Sequence, residues 1–189
     1  VDRLLVATVL RPFGEHLATF VRPQPGDICV EVGDNGDVQS LPDGSAQVVT
    51  SLFTLAEQPD PAGVLREILR ILDPHGGRLG VALWSEAAAV PHLDALTPAD
   101  PHTVEQATRF GFPLAAEHLV EQAGGADRIR VSRIHDVVRF DGAAHWWAAL
   151  GVADETHRAE CEARLQPYAA PDGTLRIPTE AVVLTAFAA

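Results

Sequence analysis

The residues of this 189-residue chain most able to do chemistry gather between Gly26 and Leu55. An apolar run, Ile28 to Val32, enters the turn Gly33-Asp34-Asn35-Gly36; after the loop Leu41-Pro42-Asp43-Gly44-Ser45 a second apolar run extends to Leu55. A buried strand feeding a glycine turn brings backbone N–H groups close to a ligand, and with acids beside it the pattern suits a nucleotide-type cofactor. Glu31 can pair with a cofactor amino group or brace the turn; it reads equally well as an exposed strand-end acid. Asp37 can contact the base of such a cofactor or bond its own turn backbone.

Further along, His92, His102 and His145 lie in or near a Pro-, His- and Ala-rich stretch from Ser85 to Pro113, where a general base facing a ligand would be wanted. Each also reads as a surface histidine. Trp84 ends an apolar strand, and ligands bind at the carboxyl ends of such strands, so it is a pocket candidate. Trp146 is a second candidate, with core packing as its other reading. Cys29 and Cys161 are too few and too far apart for a disulfide framework or a zinc site. Cys29, inside an apolar strand, is expected to be a small buried hydrophobe.

The elements that must position these residues follow from periodicity and punctuation. Apolar spacing from Asp2 to Phe20, broken at Pro12-Phe13-Gly14, predicts a kinked or two-piece helix. Strands are expected at Ile28 to Val32, Gln47 to Leu55 and Arg78 to Trp84. Asp60-Pro61 opens a helix whose stripe Leu65, Ile68, Leu69 and Leu72 should face the sheet, with Arg66 and Arg70 outside. After a loop or small cap from Ser85 to Pro113 come a helix from Leu114 to Ala123 (residues 85–127 together reading as a cap or substrate-side region), a strand from Arg130 to Phe140, helices at Ala143 to Leu150 and Ala153 to Tyr168, and a strand from Ile177 to Phe187. Strand, turn, strand, helix, strand favours a single α/β domain over residues 1–189, mostly parallel, with helices on both faces.

Composition narrows the partners. Hydrophobic residues make up 47% and charged residues 21%, as in ordinary soluble domains. The net charge is −12, and all 14 basic residues are Arg. That balance argues against nucleic acid or an anionic membrane. No run of eighteen apolar residues exists, and the N-terminus lacks a secretion-signal pattern, so a cytoplasmic chain is expected.

Three stretches carry a resemblance. VEVGDNG (Val30 to Gly36) resembles motif I of the class I S-adenosylmethionine (SAM) dependent methyltransferases, bacterial small-molecule type. The stretch from Gly36 to Leu55 resembles the part where a Gly-Asp pair meets adenine and a strand follows. The block from Pro59 to Trp84 matches the helix, Gly-Gly turn and strand after it. The resemblance implies a Rossmann-like fold, SAM as cofactor and a small-molecule substrate. It implies cofactor contacts from Glu31, Gly33, Gly36, Asp37, Val38, Ser51 and Phe53, substrate contacts from Trp84 and Trp146, and no metal. Only two residues separate Gly33 from Gly36, whereas a strand-helix-strand unit takes roughly thirty or more. The second and third strands, and the ribose-binding acid, are therefore expected to be missing.

Three functions stay open: methyl transfer to an O, N or C atom of a small molecule; a non-methylating relative that keeps a substrate pocket, as cyclase, binding protein or enzyme partner; or an inactive deletion product. Loss of the second strand would leave Ile28 to Val32 as an apolar edge, which predicts a homodimer.

Overall fold

The computed structural model describes residues 9–33, 38–125, 127–151 and 155–187. Helix α1 (Arg11–Val21) has Pro12 in its first turn and buries Phe13, Leu17 and Val21, one residue per turn along one face. It sits close over the sheet because Gly80 carries no side chain; a Cβ there would lie 2.9 Å from Val21 Cγ1. The part of the expected helix before Val9 falls outside the described residues.

The strands are β1 (Cys29–Glu31), β2 (Val48–Leu52), β3 (Arg78–Trp84), β4 (Ile129–Phe140) and β5 (Leu175–Phe187). They form a five-stranded sheet in the order β1-β2-β3-β5-β4. The β1–β2 and β2–β3 pairs are parallel, and β5 runs antiparallel to both neighbours. Four strands therefore point one way, and β5 alone opposes them.

Helices cover both faces. Helix α2 (Pro61–Ile71) starts at Asp60, whose carboxylate accepts the Gly63 N–H at 2.8 Å. It buries Leu65, Ile68, Leu69 and Ile71, and Leu72 just past its end is buried too. This core includes Val49, Leu79, Val81, Leu83, Val182 and Leu184, with α5 (Pro113–Gln122) contributing Ala116, Leu119 and Val120. The opposite core holds α1, Ala82, Trp84, Ala181 and Val183. Residues alternate between the two along β3 and β5, as the pleat requires.

Several expectations are corrected here. The region after β3, expected as a loop or small cap, holds a 3-10 turn (Ala87–Ala89), α3 (Pro91–Asp94) and α4 (Pro101–Thr108). These helices are short and start at proline, so no long stripe announces them. After α6 (Ala143–Leu150), the last helix is only α7 (Arg158–Arg164), followed by a 3-10 turn at Gln166–Tyr168. Cys29 is exposed rather than buried, because β1 lies at the end of the sheet, and Ile28 beside it is 57% exposed. Arg66 is exposed as expected, but Arg70 turns back along α2. It donates to Leu41 O (2.9 Å) and Val38 O (3.3 Å) and pairs with Asp43 and Glu67. Those two carboxylates, Asp43 first, hold its pKa above the ordinary arginine value.

Candidate functional site

The carboxyl ends of β1, β2 and β3 put Val32-Gly33, Phe53-Thr54 and Trp84-Ser85 along one rim of the sheet. Hydroxyl groups tie the first two ends together. Thr54 donates its one proton to Val32 O at 2.8 Å, so Ser51 donates in turn to Thr54 Oγ1 at 3.0 Å. Ser51 is wholly buried and braces the rim from beneath. Gly33 sits at the open side of this lock. Its φ is not left-handed, and no described atom lies within 4 Å of where a Cβ would be. Neither backbone strain nor internal packing calls for glycine here, whereas close approach of a ligand to the backbone would.

Phe53 is the strained residue of the rim. Its φ is +61°, a left-handed conformation that a bulky side chain rarely adopts. Its N–H is held by Ala82 O at 2.9 Å. Its ring stacks on Trp84, with centroids 3.5 Å apart and planes 7° from parallel. Phe13 of α1 meets both rings edge-on, at 5.4 and 5.5 Å. All three are buried, so an aromatic block fills the rim beneath α1 and keeps it dry.

His92 closes the block, edge-on to Trp84 at 5.1 Å. Thr179 gives its hydroxyl proton to Ile177 O, so His92 Nδ1 is the donor across the 3.2 Å contact with Thr179 Oγ1. Nε2 then carries the lone pair and has no hydrogen-bond partner. Burial pushes the His92 pKa down to about 3, so the ring is neutral. Trp146, also buried, donates its indole N–H to His92 O at 3.0 Å and fixes the ring from the backbone side.

The other expected site residues disperse. Glu31 is exposed on the edge strand, and Val38 is buried under the Arg70 contacts. Gly36 and Asp37 lie outside the described residues. His102 is exposed on α4, and His145 accepts the Asp141 N–H at 3.0 Å beside Phe140. The three histidines are therefore not one site. Trp84 and Trp146 are core residues: Trp84 walls the aromatic block, and Trp146 supports His92. Sequence reading missed Phe13 and the bond from Thr54 to Val32 O. Thr54 left one signal, a polar residue at the end of an apolar strand; Phe13 left none beyond helical periodicity. Among the described residues no group of three His, Cys, Asp or Glu could hold a metal.

Residues 15–79, from within α1 to the start of β3, match the family model of a methyltransferase domain. The chain is similar in structure to a provisionally assigned methyltransferase from an antibiotic biosynthesis pathway of Anabaena variabilis, with TM-score 0.60 and 14% identity, covering 93% of this chain and 97% of that one. The fold is that of a class I SAM-dependent methyltransferase. A provisionally assigned methyltransferase from Bacillus halodurans shares it with TM-score 0.51 and 16% identity, over 82% of this chain and 69% of its own. A SAM-dependent methyltransferase from Thermotoga maritima does so with TM-score 0.50 and 12% identity, over 98% and 99%. No curated protein sequence matches the chain. Within the methyltransferase fold, the matched segment contains β1, the Ser51–Thr54 lock and α2, while the Trp84-Ser85 end of the rim, Phe13 and His92 lie beyond it.

Proposed function

We propose that this protein transfers a methyl group from SAM to an O, N or C atom of a small molecule, with SAM lying over Gly33 to Gly36 and Ser51 to Thr54 on its other side. The observation that carries the reading is Gly33, a glycine at a strand end with open space where its Cβ would be. Bound SAM supplies a methyl already activated on a sulfonium, so the protein's share is placement in a dry site. Gly33 would let the backbone approach the cofactor. The Ser51-Thr54-Val32 chain of hydrogen bonds would hold the two strand ends in register. The Phe13, Phe53 and Trp84 block would exclude water.

One observation favours the second reading, a relative that keeps a substrate pocket without methylating. Among the described residues β1 ends the sheet, with no strand beside it to carry a ribose-binding acid. We infer that the second and third strands of the complete fold are absent, and that a homodimer covers the exposed β1 edge and could complete the cofactor wall.

Calorimetric titration with SAM and S-adenosylhomocysteine separates the two. Binding that is lost in a folded Gly33→Val variant supports methyl transfer, because the new Cβ meets no described atom within 4 Å. No heat at millimolar ligand supports the second reading. Sedimentation at micromolar concentration should show a dimer; a compact monomer refutes that part of the proposal.

A further inference from the structure

Beyond the Trp84–Ala181 pair β3 ends, and β4 and β5 continue as a two-stranded arm in which His135 faces Glu180, Asp136 faces Thr179 and Val137 faces Pro178. Between this arm and residues 88–91 runs an open groove of about 480 Å3, with Tyr168 in its wall. That volume falls within the range of small-molecule sites. Nothing in the methyltransferase reading uses it.

The lining is selective in chemistry. Pro91, Val137 and Pro178 give it apolar walls, and Tyr168 adds an aromatic ring. Its polar side chains are mostly acceptors. The Thr179 proton is committed to Ile177 O and its oxygen accepts from His92 Nδ1, so it offers the groove no donor. Glu180 is held through Oε1 by Arg133 and Ser85, so its Oε2 faces only His135, at 3.5 Å. Asp136 is held through Oδ2 by His16 at 2.9 Å, and its Oδ1 accepts the Val137 N–H. Arg133 offsets the charge of Glu180, which leaves the half-buried Asp136 as the carboxylate with no guanidinium against it. The chain as a whole carries −12. A cation is drawn to such a surface, and an ammonium can donate to the carboxylates while meeting the Tyr168 face.

We propose that this groove binds an organic amine, a cation with an apolar body. The proposal does not rest on SAM binding, and its test is made without SAM. The full-length chain at pH 8 is titrated with 2-phenylethylamine and, separately, with 2-phenylethanol, which has a similar shape and no charge. Calorimetry gives the affinities, and amide shifts locate the site. The amine should bind at least tenfold more tightly than the alcohol and shift the amides of Val137, Tyr168 and Thr179. Asp136→Asn and Glu180→Gln should each weaken the amine by at least fivefold and leave the alcohol unchanged. Should Glu180→Gln fail to fold without its Arg133 partner, Asp136→Asn still decides. Equal affinity for the two probes, no binding of the amine, or shifts confined to another surface would each overturn the proposal.

Discussion

Replacing Phe53 by alanine and by glycine inverts the usual order of these two residues. Phe53 is 5% exposed and stacked on Trp84. Cutting a buried Phe to Ala costs about 3–5 kcal/mol, transfer and cavity terms together. Glycine loses the same ring contacts, and in an ordinary strand it would cost a further ~0.5–1 kcal/mol in backbone entropy. At φ +61°, however, alanine keeps the left-handed penalty that a Cβ imposes, about 1–2 kcal/mol, and glycine is released from it. The two terms leave Phe53→Gly more stable than Phe53→Ala by up to about 1.5 kcal/mol, with the middle of the range at ~0.8 kcal/mol. Urea unfolding at 25 °C resolves this, since a slope of about 1–3 kcal/mol per molar turns the gap into a midpoint difference of a few tenths molar. If the alanine variant were the more stable by the ordinary margin, residue 53 would not be left-handed, and the strained rim would have to be abandoned.

Two further outcomes follow from buried groups. Because the His92 pKa is depressed from 6.5 to about 3 in the folded protein, the unfolded chain binds the extra proton between those values, so stability falls as pH drops through that window. From pH 6.5 to 5 the wild type should lose about 2 kcal/mol more than a His92→Asn variant; equal losses in urea titrations would mean that the ring is solvated. Native protein should react with a thiol-specific chromogen at Cys29 and not at Cys161, which is enclosed and whose thiol pKa burial pushes up. Labelling at Cys161 before unfolding would contradict the packing of α7.

The sequence made legible whatever depends on near neighbours. Asp60 and Pro61 marked the start of α2, and an unbroken apolar run marked β3. Features that depend on what arrives from elsewhere were hidden. Cys29 has the neighbours of a buried residue and is exposed because of where its strand sits in the sheet. Arg70 occupies a surface position on the helical wheel, yet its guanidinium reaches carbonyls some thirty residues back, which periodicity cannot show. Likewise Ser51 was visible as a strand residue near the rim, while its commitment to Thr54 depends on the turn that follows. The positive φ of Phe53 goes with its bond to Ala82 O and its stack on Trp84, both some thirty residues on, and no local motif encodes it.

Strand β5 follows every other described strand in sequence, yet it lies between β3 and β4 and gives side chains to both cores. A growing chain therefore cannot finish its sheet while residues 175–187 are still within the ribosome. Until then β3 lacks one neighbour, and β4 has none among the described strands. Such long-range pairing is slow and leaves strand edges open to aggregation in the interval. A nascent chain halted before Leu175 should accordingly be sensitive to protease and bound by chaperones, with native resistance appearing only after β5 is released.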